Sequence, residues 1–223
     1  MAPRVTAGAG APRRPTGTRR VQQHAASFIA PTGPGTVRLA RRGDRLRYNW
    51  RTMWQYRGQR RPPFAIEPGP GQESVWEYPR PPRLERDTRE VTVSLGDTEF
   101  ARTRRALRVL ETASPPTWYL PLDDVRRDAL EPASGASICE WKGVASYWSV
   151  VVGARRLVRV AWSYADPTAA FSALRGHVGF YPAPLDCRVG GHRVQPQPGG
   201  FYAGWITPEV VGPFKGDPGT DGW

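Results

Sequence analysis

The sequence predicts a mainly β protein with short helical insertions. Three observations carry that expectation. Apolar and polar residues alternate with a period of two in many short segments, as half-buried strands require. Glycine and proline number 24 each among 223 residues, which disfavours a helical bundle or a coiled coil. Turn signals such as Gly96-Asp97 and Gly153-Ala154 separate the alternating segments at close intervals.

In chain order, residues 1–35 are mostly Ala, Gly, Pro, Thr and Arg with few apolar anchors. They read as a disordered basic tail, with a misassigned start as the plainer alternative. The segment is Arg-rich and acid-poor like a transit peptide, but it lacks an amphipathic face. Residues 36–72 form an Arg- and aromatic-rich extension. Residues 36–39 and 46–50 alternate around Gly43-Asp44, which predicts a hairpin, and residues 61–71 are a proline-rich linker. The body, residues 73–223, begins with strands predicted at residues 89–95 and 98–102. Residues 104–111 are ambiguous. A strand at 117–120 leads into a short helix that Pro121 starts and that runs to Leu130. Three close strands follow at 137–141, 146–152 and 155–164. Asp166-Pro167 has the chemistry of a helix cap and first turn, which predicts a helix to Leu174. Further short strands are expected at 177–181, 186–189 and 193–195.

Charge is unevenly distributed along the chain. Residues 1–60 hold 13 arginines and one acid, Asp44, giving 13 − 1 = +12. The remainder holds 19 basic and 19 acidic residues, which cancel. A cationic arm on a neutral body suits a nucleic acid or another acidic partner through residues 1–60. Arginines interleaved with Tyr48, Trp50, Trp54 and Tyr56 would stack bases and pair phosphates. The alternative is an aromatic face docked on the body. No run of about 18 apolar residues exists to cross a membrane, so no membrane partner is expected and the location is taken as cytoplasmic. Two cysteines, Cys139 and Cys187, make no disulfide framework, and no C-x-x-C pair offers a zinc site. No metal or cofactor is expected.

Four motifs stand out in order. They are Glu73-Ser74-Val75-Trp76-Glu77-Tyr78-Pro79-Arg80-Pro81-Pro82, Cys139-Glu140-Trp141-Lys142-Gly143-Val144-Ala145-Ser146-Tyr147-Trp148, Ala161-Trp162-Ser163-Tyr164-Ala165-Asp166-Pro167, and Gly176-His177-Val178-Gly179-Phe180-Tyr181. Together they resemble the bacterial family catalogued as domain of unknown function 427, over about residues 73–190. The C-terminal stretch from Gly199 to Trp223 is similar to the end of longer actinobacterial members. The family also carries a nucleotidyltransferase-like label, which is a name without an assigned activity. The resemblance implies a β-tent-like fold of two antiparallel sheets, similar in shape to methionine sulfoxide reductase B. Neither zinc nor reductase chemistry carries over, because the paired C-x-x-C motifs are missing and shared fold does not establish shared function.

Within these motifs, alternation puts Val158, Val160, Trp162 and Tyr164 on one face of their strand and Arg155, Arg159 and Ser163 on the other. On the neighbouring strand, Tyr147 and Ser149 alternate with Trp148 and Val150. Trp141, Tyr147, Trp148, Trp162 and Tyr164 therefore become candidate ligand contacts, or an aromatic core that only fills space. Lys142 is singled out because the chain uses 30 arginines and only two lysines, the other being Lys215. An amine can act as base or nucleophile where a guanidinium cannot, and burial among aromatic residues would lower its pKa. A loop lysine or a salt bridge is the alternative. Cys139 lies three residues earlier and would share a site with Lys142 only if Gly143 or a bulge turns the chain; otherwise it is inert packing. His177 is a candidate acid or base, oriented by Tyr164 or Asp166, or else a satisfied core histidine. The expectation is a small-molecule-binding domain, in its sharper form an enzyme using Lys142, Cys139 and His177 for acid–base or amine chemistry. The alternatives are a nucleic-acid-associated module and a non-catalytic interaction domain.

Overall fold

Period-two alternation decides not only where the strands form but which layer each side chain enters. A computed structural model describes residues 54–223; the basic tail and the hairpin predicted within residues 36–50 lie outside them. In chain order the first strands are β1 (Glu73–Ser74), β2 (Arg83–Asp87), β3 (Val91–Leu95), β4 (Thr98–Thr103) and β5 (Ala106–Glu111). Next come β6 (Ser114–Pro121), β7 (Leu130–Cys139), β8 (Gly143–Val152), β9 (Arg155–Ser163) and β10 (His177–Phe180). The last are β11 (Asp186–Val189), β12 (His192–Arg193), β13 (Gln195–Pro196), β14 (Trp205–Ile206) and β15 (Val210–Val211).

Two antiparallel sheets dominate. One has seven strands in the order β2-β5-β6-β10-β9-β8-β7, the other four in the order β12-β11-β3-β4. Val91, Val93 and Leu95 of β3 are buried while Thr92 and Ser94 between them are half-buried. The buried set meets Trp118 and Leu120 of β6, Val150 of β8, Ala161 of β9 and Phe180 of β10 in one core between the sheets. Trp118 and Trp205 stack there, with ring centroids 6.0 Å apart. The Trp205 indole N–H donates to the Phe180 carbonyl at 2.9 Å, which satisfies a buried donor.

Helical content is smaller than the sequence predicts. The helix expected after Pro121 is two 3-10 turns, Leu122–Asp124 and Arg127–Ala129. The helix expected from Asp166-Pro167 is the 3-10 segment Ala169–Leu174, preceded by Thr168 and broken by non-helical backbone at Phe171. Asp166 is exposed and pairs with Arg175 at 3.0 Å instead of capping. The ambiguous residues 104–111 are largely β5. Strand β2 was not expected, because its sheet-edge position leaves no buried–exposed alternation to read. The strand expected at 193–195 is divided between β12 and β13, whereas β1, β14 and β15 were not expected, β1 pairing in parallel with the distant β15.

A third apolar cluster ties both ends of the described chain to the body. Val75, Trp76, Tyr78, Leu110 and Val210 form it, with Tyr56 and Trp223 packed against them. The Trp76 indole donates to the Pro213 carbonyl at 3.0 Å. The Arg80 guanidinium is buried, donating to Glu111, the Tyr56 carbonyl and the Thr112 carbonyl. Its Cζ lies 4.3 Å from the Trp54 ring centroid, and Lys215 Nζ lies 4.0 Å from the same ring. Of the aromatic residues considered for base stacking, Trp54 and Tyr56 are thus engaged with the body.

Lys215 is 2% exposed and donates to the Asp221 and Trp223 carbonyls at 3.0 and 3.1 Å. Burial, reinforced by the Arg80 charge, lowers its pKa from 10.5 to about 8. The unfolded chain therefore holds this proton up to a higher pH than the folded chain does. The contribution of Lys215 to folding stability should rise as pH increases from about 8 to about 10.5. The gain is on the order of 3 kcal/mol. Buried Cys187 and the buried tyrosines act oppositely over the same range in both proteins, so denaturant unfolding should show the wild type gaining stability relative to Lys215→Met.

Candidate aromatic site on the outer sheet face

The middle of the seven-stranded sheet is covered on both faces. On β6, Trp118 and Leu120 enter the inter-sheet core, so Tyr119 between them points to the outer face. Trp162 of β9 and Tyr147 of β8 join it as cross-strand partners, with Tyr164 just beyond the end of β9. Phe171 and Leu174 of the 3-10 segment cover part of this surface, and Ala203 adds to it. Tyr119, Trp162 and Tyr164 are buried, whereas Tyr147, Trp141 and Tyr181 at the margin are half-buried.

Trp162 organises the rings. Its indole N–H donates to the Tyr119 hydroxyl at 3.2 Å, and its ring meets Tyr119 edge-on at 5.8 Å. Tyr181 approaches it to 5.0 Å. The indole lies against β10 because residue 179 is glycine; a Cβ there would stand 2.7 Å from Trp162 Cζ2. Burial raises the pKa of Tyr119 and Tyr164 and pushes Tyr181 up to about 12. These hydroxyls stay protonated near neutrality and act as hydrogen-bonding groups.

Lys142 comes from the turn joining β7 and β8. Cys139 and Gly143 are the last paired residues, and Gly143 has φ +100°, a left-handed value that favours glycine. Thr168 clamps the turn, its N–H donating to the Lys142 carbonyl at 3.1 Å and its hydroxyl to the Trp141 carbonyl at 2.6 Å. The turn brings Cys139 and Lys142 to one site, as their sequence spacing alone does not. Lys142 Nζ sits 6.0 Å from the Phe171 ring centroid. Burial acts to lower its pKa, while the Glu111 carboxylate and, once ionised, the Tyr119 hydroxyl and Cys139 thiol act to raise it, and the net shift is upward. No carboxylate forms an ion pair with it among the described residues.

The remaining predicted site residues divide. Trp141 packs against the outer-face cluster, and the Tyr147 hydroxyl donates to Ser137 Oγ at 2.8 Å. Trp148 faces the opposite way, packing on the inter-sheet core and donating to Ser163 Oγ at 2.9 Å. His177 is half-buried, with Nδ1 3.2 Å from the Arg175 carbonyl. Burial, with the charges of Arg105 and Arg86, lowers its pKa. Those arginines and Asp124 are its charged neighbours, a different set from those around Lys142. Sequence reasoning missed Tyr119, although alternation with Trp118 pointed to it. It also missed Phe171, Tyr181 and Lys215, which reach their places only through tertiary packing.

Two shallow concavities of about 350 and 340 Å³ lie elsewhere. The first, on the four-stranded sheet, is lined by Glu90, Arg102, Asp186 and Arg188, which are already ion-paired with acidic or basic neighbours. Among the described residues, no cluster of His, Cys, Asp and Glu is placed to hold a metal ion, and no helix is long and apolar enough to cross a membrane.

Compared with known families, residues 83–191 match the one described as domain of unknown function (DUF427). This segment is a DUF427 domain. The match runs from β2 to just past β11, so every strand of the aromatic face belongs to the DUF427 segment, while Trp54 and Lys215 lie outside it. No curated protein matches the chain.

Gly179→Ala tests the ring arrangement. The added methyl should displace the Trp162 indole, costing about 1–3 kcal/mol. Thermal unfolding and the near-ultraviolet circular dichroism of the tryptophans should both change.

Proposed function

We propose that the DUF427 domain binds a small molecule on the aromatic face of its seven-stranded sheet, with Lys142 as a charged contact. The observation that carries this reading is the placement of the Lys142 amine, half-buried beside Tyr119 and Cys139 and 6.0 Å from the Phe171 ring centroid, with the Glu111 charge in reach but no ion-paired carboxylate among the described residues. Removing a cation from water is costly unless an anion or strong acceptors compensate. A ligand carrying negative charge would compensate it, and the half-buried rings of Trp141, Tyr147 and Tyr181 supply flat surface for the ligand's body. Lys142 acts here through its charge, and acid–base chemistry by a free amine is the less favoured form of the same reading.

A second reading rests on the +12 charge of residues 1–60, which suits a polyanion. Salt separates the two. Binding through the arm should weaken steeply with salt and vanish in a version lacking residues 1–47, which hold ten of the 13 arginines of residues 1–60. Binding at the aromatic face should survive that truncation and respond little to salt.

Tryptophan fluorescence against a panel of metabolites and nucleotides should reveal a saturable ligand. Lys142→Met should weaken that ligand about tenfold or more while leaving stability equal or higher. Lys142→Arg should retain much of the affinity if charge is what matters. Complete loss in Lys142→Arg would instead favour amine chemistry.

A further inference from the structure

The strand that carries Trp162 contains a backbone irregularity. Arg159 has φ +56°, one of two positive-φ residues other than glycine among the described residues. It sits where the register of β8 and β9 slips. Trp148 pairs with Ala161 and Val150 with Leu157, so three residues, 158–160, lie opposite Ser149 alone. Alternation assigns Arg159 to the same face as Leu157 and Ala161, which pack on the inter-sheet core. The left-handed backbone re-aims it. Its guanidinium carbon lies 4.2 Å from the centroid of Tyr147, on the outer face.

A second irregularity faces the first. In β7 the register slips between Ala133 and Ala136, inserting Ser134 and Gly135 opposite the Tyr147–Ser146 step. Gly135 has φ +92°, and a Cβ there would stand 3.1 Å from Arg159 Nη1. Two bulges therefore flank Tyr147, one aiming the arginine and the other leaving room for it. Bulges re-aim side chains in this way beside functional sites. Arg159 is exposed, and no ion pair holds it among the described residues, although acidic partners hold many of the chain's other arginines. A left-handed backbone at a residue with a Cβ costs free energy that glycine would avoid, and such strain concentrates at ligand-binding positions.

Resting on the aromatic-face reading, we infer that Arg159 is a second anion-recognising residue of that site beside Lys142, pairing with a carboxylate or phosphate group while the ligand's flat body lies on Tyr147 and Tyr181 over the buried Trp162. A guanidinium presents two parallel N–H donors to such a group, and stacking on Tyr147 holds its plane in place. Tyr181 lies within the electrostatic reach of Arg159 and touches Trp162 at 5.0 Å, so the cation stands at the margin of the aromatic surface. The ligand class is an aromatic or similarly flat acid.

The test uses the full chain and three matched compounds: 3-phenylpropionate, phenyl phosphate and the neutral 3-phenylpropanol. Titrations are followed by the NMR signals of the Trp162 indole N–H and the Arg159 Nε–H. Both anions should move both signals, and the alcohol only that of Trp162, with at least about tenfold weaker affinity. The tighter anion names the recognised group. Arg159→Gly should cut the preference for anions about tenfold, leaving only what the Lys142 charge contributes, keep alcohol binding within about twofold, and give a Tm equal to or above that of the wild type. Equal binding of anion and alcohol by the wild type overturns both the role of Arg159 and the charged contact of Lys142, leaving only the aromatic surface. An anion preference unchanged in Arg159→Gly overturns the role of Arg159 alone. If no compound moves the Trp162 signal, the aromatic-face reading itself fails.

Discussion

Burial on both faces of the seven-stranded sheet is the constraint on which the rest of the structure depends. A half-buried antiparallel sheet normally shows one face to water. Here β6 sends Trp118 and Leu120 into the core shared with the four-stranded sheet and Tyr119 to the other side. The same division runs through β8 and β9, where Val150 and Ala161 oppose Tyr147 and Trp162. The inter-sheet core is filled to satisfaction. The outer face is covered only in part by the 3-10 segment, and its half-buried edge holds Tyr147, Tyr181 and Trp141. Incomplete cover over an aromatic surface is what distinguishes that face from the inter-sheet core.

The two lysines show how surroundings, more than residue type, decide chemistry. Lys215 is buried and Lys142 half-buried, and burial alone would lower both pKa values. Lys142 has Tyr119 and Cys139 beside it, and its pKa moves up. Lys215 has the Arg80 cation beside it, and its pKa moves down. The neutral amine is therefore more accessible at the residue that anchors the C-terminal segment through two carbonyls. The fixed charge belongs to the residue on the aromatic face. Rarity of lysine in an arginine-rich chain singles out Lys142, and nothing in the sequence shows that Lys215 is the lysine whose pKa is lowered.

Departures from regular structure are concentrated near the same surface. Gly143 turns the chain to present Lys142, Gly179 admits the Trp162 indole, and the bulges around Tyr147 aim Arg159. Each uses a position where a Cβ or a regular register would have prevented the arrangement. The opposite sheet face, built from unbroken alternation of Val91, Val93 and Leu95, has a single register slip in β3–β4 and carries packing only.

By itself the sequence determined the mainly β class, the positions of β3, β4, β8 and β9, and membership of the aromatic residues in two faces. Those properties are local, since side-chain alternation along one strand is a matter of backbone geometry over a few residues. It also determined that Lys142 and the tryptophans around it belonged together, because they share one hairpin and its neighbour. Only the tertiary structure decided that Trp148 turns away from Trp162, since the identity of each face depends on what packs against it. It alone converted the expected helices into 3-10 turns, paired β1 with β15 across the chain, and placed Tyr181 on Trp162. Arg159 was the least legible of all. Alternation predicts the wrong face for it, and a bulge is set by pairing between strands, not by the residues of one strand.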